Sequence, residues 1–120
     1  MKRDMSLVRS ILLRIEATES LKEAPDLNIE GFSEEQVDYH LDMLIANKRY
    51  VNGNGNWSLG GTYWVSIQGL TWEGHDFLDA IRDDSVWEQV KQKLGDNVST
   101  VPLEVIKGVG IEVIKGLVSS

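Results

Sequence analysis

Residues 70–87, LTWEGHDFLDAIRDDSVW, hold two Trp, one Phe, five acidic residues and one of the chain's two His. These residue types could do chemistry in three ways. His75 with Glu73, Asp76 and Asp79 could hold a metal ion or run acid–base catalysis, because a helix stands His75 and Asp79 one turn apart on one side. Two ligands do not make a site, however, and His40 would have to arrive from elsewhere in the fold. Asp83-Asp84 looks like a catalytic carboxylate pair. Adjacent residues point in different directions on a helix, and Asp readily caps one, so capping is the stronger account. Trp72 and Trp87 could stack a base or ligand. Trp87 shares a stripe with Val90 and Leu94 and reads as core, whereas Trp72 lies off the face that carries Phe77. The run Gly53-Asn54-Gly55-Asn56 lacks the Lys and the strand-to-helix context of a phosphate-binding loop. No catalytic group, cofactor site or metal site is therefore predicted, and the chain reads as a non-enzyme.

The elements that must position these residues are marked by periodicity and caps. Residues 4–18 form a helix whose stripe is Leu7, Val8, Ile11, Leu12 and Ile15, with Asp4 as N-cap. Residues 27–32 fit a short edge strand. Residues 34–49 form the best-marked helix: Ser33 and Gln36 make a capping-box pair, and Phe32 with Val37 has the spacing of a hydrophobic staple. Its core face is Val37, Leu41, Leu44 and Ile45, with His40 at the edge. The opposite face shows Glu35, Asp38, Tyr39, Asp42, Ala46 and Arg49. Tyr50-Val51, the Gly/Asn run and the tract 62–67 predict a hairpin with a long flexible tip. In that tract Tyr63, Val65 and Ile67 lie on one side and Trp64 and Ser66 on the other. Thr71 caps a helix to about Arg82. Its Gly74 costs about 1 kcal/mol against Ala and implies close approach of another backbone. Ser85 and Glu88 form a second capping box for a helix that Gly95 ends. The tail, PLEVIKGVGIEVIKGLVSS, is helical from Pro102, with a narrow seam of Leu103, Ile106, Gly110, Val113 and Leu117.

A chain of 120 residues without Cys favours one domain with a real core and no disulfide or thiolate metal site. Two parts are predicted: a domain over 1–95 and a helical extension over 96–120. No apolar run reaches membrane-spanning length, and Arg9, Arg14 and Glu16 interrupt any signal-peptide core, so a cytoplasmic location is expected. Nineteen acids against twelve bases give a net charge of −7, which repels polyanions at long range.

The order helix, short strand, helix, hairpin, helices gives an α+β fold with a winged-helix-like core, although little room remains for the usual scaffold helix before Ser33. The chain resembles a family of short phage-borne and bacterial proteins of unknown function. The likeness runs from MKRDMSLVRSILLRIE through YHLDMLIA, peaks at LTWEGHDFLDAIRDD…W, and extends into VPLEVIKGVGIEVIK. It implies a winged-helix-like fold and a prophage or mobile-element setting, and it brings no activity. Members usually have a compact turn where this chain has its Gly/Asn run.

The helix over 34–49 stands in the recognition-helix position. A major-groove reader presents Arg, Lys, Asn or Gln outward. This helix presents Glu35, Asp38 and Asp42, with basic residues only at Lys48 and Arg49. The expectation is a protein-binding surface made of Glu35, Asp38, Tyr39, Asp42 and the hairpin's Trp57 and Trp64. The alternative is a DNA-binding regulator that uses Arg9, Arg14, Lys48 and Arg49, with Lys2 and Arg3 extending the basic face. The apolar tail points to a homodimer as the default assembly.

Overall fold

A computed structural model of the chain describes residues 1–20, 22–46 and 48–119. Among these it contains five α-helices and one antiparallel hairpin, an α+β fold. In order they are α1 (Met5–Ala17), α2 (Glu34–Ala46), β1 (Val51–Trp57), β2 (Tyr63–Leu70), α3 (Trp72–Ile81), α4 (Asp84–Leu94) and α5 (Leu103–Ser119), with a short 3-10 turn over Gly95–Ser99. Two compact units make up this chain, Met1–His75 and Asp76–Ser120.

In the first unit α1 packs on α2 and β2, and α2 packs on β1. Asp4 caps α1 as expected: its Oδ1 accepts the Leu7 N–H at 3.1 Å. The α1 stripe is buried along its whole length, and each such aliphatic side chain contributes about 1.5–3 kcal/mol by leaving water. The Ser33–Gln36 box closes in both directions. Gln36 N–H donates to Ser33 Oγ at 3.2 Å, and Ser33 N–H donates to Gln36 Oε1 at 2.9 Å.

Several expectations are corrected here. Residues 27–32 form no strand. Asp26 Oδ1 takes the Asn28 N–H at 3.0 Å, and Ile29 O takes the Phe32 N–H at 3.2 Å, with Gly31 at φ +89°. Such local bonds hold the backbone in turns and leave no free ladder to pair. Helix α2 stops at Ala46 rather than 49. Beyond it Lys48 takes φ +54° and donates to Ile45 O at 2.9 Å, which turns the chain toward β1; Asn47 lies outside the described residues. His40 is no edge residue, with 1% exposure.

The largest correction concerns the hairpin. The Gly/Asn run is not its tip; it is the body of β1. Glycines 53 and 55 alternate with Asn52, Asn54 and Asn56, and the alternation is that of strand faces. A Cβ on Gly55 would stand 1.9 Å from the Tyr63 hydroxyl, and one on Gly53 would stand 2.6 Å from Ser66 O. Those two positions are glycine because β2 lies over them. The turn itself is short: Ser58 N–H donates to Thr62 O at 2.8 Å, and Thr62 N–H donates to Ser58 Oγ at 3.0 Å. Register runs from Trp57 opposite Tyr63 to Val51 opposite Leu70, with one irregular step between Asn52 and Gly53.

Thr71 and Gly74 behave as the sequence implied. Thr71 Oγ1 accepts the Gly74 N–H at 2.9 Å and donates to Arg49 O, while Gly74 lies directly against Tyr50 O. In the second unit the cap of α4 is Asp83, not Ser85. Asp83 Oδ1 accepts the N–H groups of Ser85 and Val86 at 2.9 and 3.1 Å. The Ser85–Glu88 box is therefore absent, and Glu88 instead pairs with Lys91 at 2.7 Å. The charge of Asp83 also suits the helix N-terminus. Trp87 is buried, with Lys91 over its ring. Helix α5 packs on α4 and buries Ile106, Gly110 and Val113 of the expected seam, while Leu117 stays exposed. Among the described residues no helix is long and apolar enough to cross a membrane.

Candidate interaction surface

Helix α2 carries four acids and no Lys or Arg. A helical wheel turns Glu35, Asp38, Tyr39 and Asp42 outward, but the fold treats them differently. Glu35 is exposed; Asp38, Tyr39 and Asp42 are half-buried. Asp42 accepts a hydrogen bond from the Tyr63 hydroxyl at 3.0 Å, so it is a brace between helix and hairpin rather than a free outward carboxylate. That bond requires the flat path over Gly55. Burial, the Asp42 hydrogen bond and the negative charges of Asp42 and Asp38 push the Tyr63 hydroxyl well above its usual range, which keeps it a donor. Tyr39 sits edge-on to the buried His40 ring, with centroids 5.5 Å apart.

The hairpin supplies aromatics on both faces. Trp57 packs on Tyr63 at 4.7 Å between centroids and remains 46% exposed. Trp64 follows Tyr63 and so points to the opposite face, 66% exposed. The structure thus brings Trp57 to Glu35 and Asp38 across an open groove of about 360 Å³, also walled by Glu34, Thr62 and Tyr63. It leaves Trp64 and Tyr39 outside that groove. Glu34 and the buried Tyr63 were missed as groove-lining residues. The signal for Tyr63 was its place opposite Trp57, which becomes visible only once the strand extends through the Gly/Asn run.

Asp38 is the most perturbed carboxylate of the surface. Burial raises its pKa above 3.8, and the neighbouring Glu34 charge raises it further. A raised acid contributes its stability below the unfolded value and loses it as pH rises through the folded value. Asp38→Asn is therefore expected to stabilise the chain slightly at neutral pH, by no more than a few tenths of a kcal/mol because solvent screens this half-exposed carboxylate. The gain should vanish well below pH 3.8. Paired thermal melts at the two pH values check this, and an equal gain at both would exclude charge as its cause.

Arg14 and Arg49 are committed to ion pairs elsewhere. Arg14 pairs with Asp26 at 3.1 Å and also donates to Asp26 O at 3.2 Å. Arg49 holds Glu73 at 2.8 Å and lies 5.3 Å from the Tyr50 ring centroid. Lys48 is exposed and Arg9 half-buried. The histidines belong to structure as well. The Nδ1 of His40 bonds Gln36 O at 2.7 Å, and its Nε2 accepts the Asp4 N–H at 2.7 Å. His75 is exposed, with Glu16 at 3.7 Å. Among the described residues no three His, Asp or Glu side chains converge as a metal cluster.

A family model described as "Hypothetical protein (DUF2513)" matches residues 2–100. The chain belongs to the DUF2513 family. A relative named "Uncharacterized protein" from Haemophilus influenzae (strain ATCC 51907 / DSM 11121 / KW20 / Rd) is 32% identical over 121 residues, covering 99% of this chain and all of that protein. No solved structure matches the chain. The DUF2513 match takes in α1, α2, the hairpin, α3 and α4, so both grooved helix and hairpin lie within the family's span.

Proposed function

We propose that this DUF2513 chain is a non-enzymatic macromolecular-interaction protein of phage or prophage type, and that it binds protein through α2 and the hairpin of a winged-helix-like core. The observation that carries this reading is the α2 face: Glu34, Glu35 and Asp38 stand beside the exposed Trp57, while Arg14 and Arg49 are held by carboxylates. Carboxylates in the recognition position oppose phosphates, and an exposed aromatic beside them suits a protein surface. A DNA-binding regulator working through Arg9, Arg14, Lys48 and Arg49 would have to break two of these ion pairs.

The test is fluorescence polarisation with a labelled random-sequence duplex at low salt. No change in polarisation is expected. Saturable binding that falls as salt rises, and that Arg14→Gln or Arg49→Gln weakens, would establish the DNA reading instead.

A further inference from the structure

We propose that the α2–hairpin surface takes an extended protein segment in which a lysine or arginine is flanked, two positions away on either side, by apolar side chains. The inference rests on the protein-binding reading and adds the chemistry of the partner.

Two open grooves meet at this surface. One, of about 450 Å³, is walled by Leu27, Ile29, Phe32 and Val37. The other, of about 360 Å³, is walled by Glu35, Trp57, Thr62 and Tyr63. Glu34 and Asp38 line both, so they form the wall that the grooves share. These two carboxylates stand one helical turn apart, and like charges at that spacing repel. Some acids elsewhere in the chain have cations: Asp26 has Arg14, Glu73 has Arg49, Asp79 has Arg82, and Glu88 has Lys91. Among the described residues Glu34 and Asp38 have none. Asp38 carries the added cost of partial burial beside Glu34. A partner's cation set between them would relieve both costs, and the Trp57 ring offers a face to the same cation.

An aliphatic and Phe32 wall on one side of a shared acidic ridge, and the Trp57 and Tyr63 rings beside Glu35 and Thr62 on the other, define the pattern. Alternate side chains of an extended segment fall on one face about 6–7 Å apart. A central cation on the ridge therefore sends its neighbours at plus and minus two into the two grooves. Phosphate-bearing partners, whether nucleic acid or anionic lipid, meet the wrong charge.

The experiment is selection of a displayed random-peptide library on the full chain, followed by calorimetry with one synthetic peptide from the enriched set. Enrichment of a central Lys or Arg between apolar residues is expected. The affinity of that peptide should fall at least about tenfold in Glu34→Gln/Asp38→Asn and in Trp57→Ala. Glu112→Gln, an α5 residue paired with Lys115, should leave it unchanged. Helical circular dichroism confirms that each variant is folded. Apolar peptides without a cation, lost in Trp57→Ala but indifferent to Glu34→Gln/Asp38→Asn, would overturn the cation and leave the protein-binding reading standing. No enrichment, or peptides indifferent to both variants, would overturn both.

Discussion

Gly74→Ala and Gly110→Ala are each expected to lower the melting temperature by roughly 10 °C, while Gly108→Ala on the same helix as Gly110 raises it. The sign depends on what the added methyl meets. On Gly74 it would stand 2.0 Å from Tyr50 O, and on Gly110 it would stand 2.3 Å from Ala80 O. Both obstacles are backbone carbonyls, which cannot rotate away, so the helix or its neighbour must shift at a cost of about 3 kcal/mol. Around Gly108 and Gly116 nothing lies within 4 Å. There the substitution only recovers helix propensity, about 1 kcal/mol. Thermal melts of the four single variants decide the matter. A neutral Gly110→Ala would mean that α5 does not approach Ala80 as closely as described, and the seam would then need another partner.

His40→Ala should cost about 3 kcal/mol in urea denaturation, whereas His75→Ala should change stability by less than about 0.5 kcal/mol. The His40 ring joins two helices through backbone bonds. It accepts the N–H of Asp4, the residue that caps α1, and it donates to Gln36 O in α2. This arrangement requires the tautomer with hydrogen on Nδ1. Truncation leaves the Asp4 N–H unpaired beside a cavity, and both losses add. His75 is half exposed and has Glu16 at 3.7 Å, an ion-pair geometry worth little at a surface. Equal small effects from the two variants would show that the His40 bonds do not hold α1 to α2.

Much of the scaffold was legible because its signals are local. Asp4 reaches Leu7, Ser33 reaches Gln36, and Thr71 reaches Gly74, each three residues apart. Such caps depend on one turn of chain and can be read without knowing the fold. The same locality explains the error at α4. Asp83 and Ser85 both carry capping side chains, and only the backbone geometry at Asp83, extended with φ −68° and ψ 131°, selects between them. The Gly/Asn run misled for a different reason. Turn chemistry and a glycine-lined strand face share a composition, and what separates them is the Tyr63 ring that lies over Gly55 from the other strand.

The sequence by itself determined the α+β class, the family, the acidity of α2 and the need for close packing at Gly74. All of these follow from local spacing, from composition or from a long contiguous likeness. Only the tertiary structure decided which acids line the grooves. Asp42 is taken by Tyr63, while Glu34 and Asp38 become the wall between two grooves. Side chains 21 residues apart meet there. A helical wheel records direction around one axis; it does not record which later strand comes to cover that direction.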